Sequence, residues 1–68
     1  MNEDAFNMSI RTFLKMVGVK SQHEIEQAVA QALAEGALKG DEKLPAKMTL
    51  SIPQANLNVS FDGIINLG

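Results

Sequence analysis

Histidine is the side chain that changes charge near neutral pH, and this sequence holds one, His23. General acid–base catalysis would need a partner to orient that imidazole and a pocket around it. His23 lies in a stretch of helical period, off the apolar stripe, and reads as an exposed residue. Glu24 and Glu26 stand two apart, so on a helix they diverge. Asp41-Glu42 reads as a solvated pair in a loop. Ser9, Ser21, Ser51 and Ser60 have no histidine at a spacing that predicts contact. Gly36-x-x-x-Gly40 lacks the Gly-Lys-Ser/Thr ending that cradles phosphate. With no cysteine and one histidine, disulfides and a structural zinc site are excluded as expectations. No catalytic residue, metal ligand or cofactor-binding residue is assigned, no cofactor is expected, and the chain reads as a non-enzyme.

The elements that would position these residues follow from hydrophobic period. Phe6, Ile10, Phe13, Leu14 and Val17 fall at i, i+4, i+7, i+8 and i+11, which predicts a helix over about 3–17. Asn2 is placed to cap it, and Glu3 and Asp4 suit the positive end of the helix dipole. Gly18 reads as the left-handed residue that ends it. Ser21-x-x-Glu24 reads as a capping box that opens a second helix over about 22–35. Ile25, Ala28, Val29, Ala32 and Leu33 form its stripe, and Gly36 gives its stop.

Past the charged, glycine-containing segment Ala37–Lys43 the period changes to two. Met48, Leu50 and Ile52 alternate with polar residues, as do Leu57, Val59 and Phe61. Pro53-Gln54-Ala55-Asn56 supplies the turn between them. A four-residue loop there sets Ile52 opposite Leu57, Leu50 opposite Val59 and Met48 opposite Phe61, all on one face. Asp62-Gly63 offers a competing turn. A strand continuing through it keeps Ile65 and Leu67 on the face of Phe61. The reading is therefore one long hairpin, roughly 44–52 with 57–67, with Gly63 a bulge or bend. Pro45 is tolerable because a two-stranded hairpin has open edges. The expected fold is α+β, a single small domain over 1–68. In it a two-helix hairpin packs on one face of a long antiparallel β-hairpin (α-α-β-β).

Two helices joined by so short a turn raise the question of a DNA-reading helix-turn-helix. Such a helix needs Arg, Lys, Asn or Gln at base edges and phosphates. The second predicted helix offers Gln22, His23, Gln27 and Gln31, but its formal charges are Glu24, Glu26 and Glu35. Three negative charges oppose phosphate. Lys39, Lys43 and Lys47 are nearly cancelled by Asp41 and Glu42, and no Tyr or Trp is present to stack a base. A net charge of −2 and a pI near 5.1 give no general attraction to nucleic acid or anionic lipid. Glu3 and Asp4 stand where a secretory signal would be basic, and no apolar run approaches a membrane span. The expected location is the cytoplasm.

Leftover apolar residues are the remaining signal. Met8 and Met16 lie off the main stripe of the first helix, and Ile64 points away from the apolar face of the hairpin. These three are the candidate partner surface. An open strand edge is also a pairing site, so two protomers could join hairpins into a four-stranded sheet. The expected function is a small protein-interaction module that associates with itself or with another protein. The alternative is a divergent helix-turn-helix nucleic-acid-binding protein; no membrane partner is expected.

Several runs of the sequence carry a family resemblance. They are Asn2-Glu3-Asp4-Ala5-Phe6-Asn7-Met8-Ser9-Ile10-Arg11, Phe13-Leu14-Lys15, Val17-Gly18-Val19, Ser21-Gln22, Glu24-Ile25-Glu26-Gln27-Ala28-Val29 and Leu38-Lys39-Gly40-Asp41-Glu42-Lys43-Leu44-Pro45. Together they resemble a domain-of-unknown-function family of short uncharacterised bacterial proteins. The likeness covers nearly the whole chain and fades in the last strand. It implies a bacterial, cytoplasmic, small α+β protein, and brings no activity, cofactor or site residue.

Overall fold

The computed structural model describes residues 1–68. Its element order is α-β-β: helix α1 (Glu3–Ala34), strand β1 (Lys43–Ile52), a 3-10 turn (Pro53–Ala55) and strand β2 (Leu57–Asn66). The chain divides into two units, Met1–Ala37 and Leu38–Gly68.

The first unit is the helix with its caps. Asn2 is extended (φ −91°, ψ 107°), and its Oδ1 accepts from the Ala5 N–H at 3.1 Å. Glu3 and Asp4 occupy the first turn, as expected. At the other end Glu35 is the C-cap. Gly36 takes φ 79°, its N–H donates to Leu33 O at 3.2 Å, and the Ala37 N–H donates to Ala32 O at 2.9 Å. That paired closure satisfies two carbonyls that a helix end leaves free, and it needs a left-handed residue where Gly36 stands.

Between those ends α1 does not break, and this overturns the α-α-β-β expectation. There is one helix over Glu3–Ala34 rather than two over 3–17 and 22–35, so no helical hairpin exists to cover the sheet and no helix-turn-helix forms. Gly18 lies within the helix and is not a left-handed terminus. Ser21 and Glu24 form no capping box, because the Ser21 and Glu24 amides lie inside a continuous helix. The energetic reason is plain. An internal glycine costs about 1 kcal/mol relative to alanine. A break there would leave free the four carbonyls and four N–H groups of two new ends, and a single box satisfies only part of them.

In the second unit β1 and β2 pair antiparallel in an unbroken one-to-one register from Lys43↔Asn66 to Ile52↔Leu57. Ile52↔Leu57, Leu50↔Val59 and Met48↔Phe61 are the expected pairs. The turn spans the expected four residues. Asn56 closes it in the left-handed region (φ 54°), its N–H donating to Pro53 O at 3.1 Å. Gly63 is neither bulge nor bend; it stands opposite Ala46 in regular pairing. Alternation puts Leu44, Met48, Leu50, Val59, Phe61 and Ile65 on one face, with the small pair Ala46 and Gly63 among them. The other face is polar, and there the Thr49 and Ser60 hydroxyls lie 3.0 Å apart.

Neither unit has a buried residue. A single helix has nothing of its own to bury its stripe against, and a lone two-stranded hairpin is marginally stable in water.

Candidate functional site

His23, Glu24 and Glu26 are exposed on α1. Ser9 donates its hydroxyl to Phe6 O at 2.9 Å, a bond within its own helix. Ser21 is half-buried in mid-helix. Nowhere do three His, Asp or Glu side chains gather where a metal could sit.

The three candidate partner residues belong to different units, Met8 and Met16 to the first and Ile64 to the second. Met8 and Met16 are two turns apart on α1 and line an open groove of about 560 Å³ together with Ala5, Ser9, Thr12 and Phe13. Met8 is 70 % exposed and Met16 44 %. Ile64 belongs to the other unit, on the polar face of the hairpin opposite Pro45, and is 62 % exposed.

One carboxylate has a structural role that the sequence reading, which placed Asp41-Glu42 as a solvated pair, does not show. The Glu42 carboxylate folds back on its own loop. Its Oε1 accepts from the N–H of Gly40 at 2.9 Å and its Oε2 from the N–H of Lys39 at 2.9 Å. The Glu42 carbonyl accepts from the Leu67 N–H at 2.9 Å, tying this loop to the end of β2. The backbone N–H of Lys39, then that of Gly40, holds the Glu42 carboxyl below its ordinary value of 4.5. A depressed carboxylate contributes stability above its unfolded pKa and loses it as pH falls through the folded value. Titration followed by NMR should therefore show the Lys39 and Gly40 amide shifts moving together, with a midpoint below 4.5. In Glu42→Gln that titration should vanish and both amides should exchange faster with solvent. A midpoint at or above the ordinary value would rule the loop clasp out. The signal available in the sequence was Gly40 two residues before a carboxylate, a spacing at which backbone N–H groups can converge on an anion.

The second feature missed is the extent of the apolar face. Nine large apolar side chains of α1 are more than a third exposed, from Phe6 (48 %) through Phe13 (46 %) and Leu14 (56 %) to Leu33 (41 %). On the hairpin Phe61 is 60 % and Met48 45 % exposed.

The family model that matches this chain spans residues 1–68 and describes a family of unknown function. The match thus includes the last strand, where the resemblance read from the sequence fades. No curated protein and no solved structure matches the chain.

Proposed function

The chain belongs to that family of unknown function, DUF6494, and from this premise we propose that it is a small, non-enzymatic protein-interaction module that self-associates in the cytoplasm. The observation that carries the reading is the absence of any buried side chain in either unit. A helix of this length is about 48 Å long, and helices in proteins draw most of their stability from packing an apolar face. Here that packing has to come from outside the unit. The absence of cysteine suits a reducing compartment, and no helix is long and apolar enough to cross a membrane.

Sedimentation velocity over a micromolar concentration series tests the proposal. The expected result is a species heavier than the 7.3 kDa chain. It should dissociate on dilution, with helical circular dichroism falling in step, because association and folding are linked by mass action. A species of chain mass that keeps full helicity at every concentration would overturn it.

A further inference from the structure

The continuous helix brings a repeat into phase that two separate helices would not have. The positions of Ile10, Phe13, Leu14 and Val17 are repeated on the same face eleven residues later by Ser21, Glu24, Ile25 and Ala28, of which the last two are apolar, with Phe6 before them and Ala32 after. Eleven residues in three turns is 3.67 per turn, slightly more than the helix's own period, which gives nearly straight or gently right-handed packing along one seam.

Resting on the proposal of self-association, we infer that the occupant of this seam is the same seam of a second copy, running antiparallel. Three observations point there. The first is mirror order: the stripe positions are symmetric about Val19, so reversing the helix lays the stripe onto itself. The second is size. The first half of the stripe is wholly large (Phe6, Ile10, Phe13, Leu14, Val17), while the second mixes small Ser21, Ala28 and Ala32 with Glu24 and Ile25. Antiparallel alignment sets Phe6 against Ala32, Ile10 against Ala28 and Val17 against Ser21, with Phe13 against Ile25 the one pair of large apolar residues and Leu14 against Glu24 beside it. Parallel alignment sets Phe6 against Phe6 and Ala28 against Ala28, tight at one end and loose at the other, and packing tolerates neither overfilling nor voids.

The third observation is charge. All three cations of α1, Arg11, Lys15 and Lys20, precede Glu24 and Glu26, while Glu3 and Asp4 fill the first turn and Glu35 caps the end. Antiparallel alignment therefore leaves the exposed tips Glu3 and Glu35 facing each other but opposes no like charges along the seam between them. Glu24 is the one charged residue inside the stripe. In the antiparallel pair it meets Leu14 of the other copy, between that copy's Arg11 and Lys15. In a parallel pair it meets the other copy's Glu24, and like charges are opposed at the centre of the seam. The area also suffices. Phe6, Ile10, Phe13, Leu14 and Ile25, at roughly half exposure, present on the order of 500 Å² per helix. The smaller stripe residues bring this close to the ~800 Å² that one partner contributes to a standard interface.

Disulfide trapping tests the inference on the full chain, which has no cysteine of its own to interfere. Ile10→Cys and Ala28→Cys chains are made separately, checked for wild-type helicity, mixed and oxidised with a glutathione couple. Antiparallel pairing places residues 10 and 28 of opposite copies side by side, so the mixture should give a covalent dimer of one chain of each kind. Neither variant alone should cross-link. In that arrangement two residues 10 are about 27 Å apart along the axis, far beyond the roughly 7 Å that a disulfide can span. Cross-linking of either variant with itself would overturn the antiparallel assignment in favour of a parallel one. No cross-link, in a sample that still sediments as a dimer, would overturn the helical seam while leaving self-association standing, as pairing through hairpin edges would do. Sedimentation as a monomer would overturn both. Leu14→Cys with Glu24→Cys probes the same pairing at a second position and decides the matter if Ile10→Cys lowers helicity.

Discussion

Replacing Gly18 with proline is expected to reduce the helical circular-dichroism signal to roughly half and to abolish self-association at micromolar concentration. Proline at position 18 removes the N–H that bonds to the carbonyl of residue 14 and drives its ring against that carbonyl, at a cost of about 3 kcal/mol or more. The helix would be left as pieces of about 15 residues on either side, near the length at which an isolated helix is only marginal. Gly18→Ala carries the opposite sign. A Cβ at that position meets nothing within 4 Å, and alanine in a helix interior gains about 1 kcal/mol over glycine. Urea unfolding at fixed chain concentration measures both effects. If Gly18 were instead a left-handed helix terminus, alanine would strain the backbone and destabilise, and proline just beyond it would be mild. The sign of Gly18→Ala therefore separates the one-helix chain from a helix–turn–helix chain, whichever way the copies assemble.

That same residue shows what was legible in the sequence and what was not. The hairpin could be read to the pair because its apolar residues alternate strictly, and a one-residue slip would expose every one of them. The observed register Met48↔Phe61, Leu50↔Val59 and Ile52↔Leu57 is the one that alternation demands. Asn2 and Gly36 were legible because each cap lies at a true end of the apolar pattern. Gly18 and Ser21-x-x-Glu24 misled because cap residues tell where a helix could end, not where it does. The deciding signal was phase. Leu14, Val17, Ser21, Ile25 and Ala28 step by three and four straight across Gly18, and a chain that turned there would have no reason to keep that step. Gly63 misled in the same manner: opposite Ala46 it is simply a small residue in a regular ladder. At the candidate site, Met8 and Met16 were placed on a second flank of α1 by period alone, and the structure sets them around one groove. Glu42 was hidden because its partners are backbone N–H groups, which leave no mark in a sequence beyond the nearby Gly40.

Exchanging two side chains of the seam should weaken the dimer when done singly and restore it when done together. Ile10 is 39 % exposed in the isolated chain, so Ile10→Ala removes little from the helix itself and slightly favours it by propensity. Its effect should appear on association. A buried isoleucine truncated to alanine costs about 2–5 kcal/mol. A two-fold dimer contains the Ile10–Ala28 contact twice. Two contacts at the lower end of that range sum to about 4 kcal/mol, a rise of roughly 700-fold in the dissociation constant, since each 1.4 kcal/mol is tenfold. Ala28→Ile alone should also weaken the pair, because it sets isoleucine against isoleucine and overpacks the seam at a typical cost of about 1–3 kcal/mol. Ile10→Ala with Ala28→Ile has the composition of the starting chain and sets alanine against isoleucine again at both contacts. It should recover most of the lost affinity, as read by sedimentation equilibrium. Recovery cannot be credited to total hydrophobicity, which is unchanged. A parallel pair would gain nothing from the exchange, because each position would still face its own copy. If the double variant associates no better than Ile10→Ala, the seam does not run antiparallel.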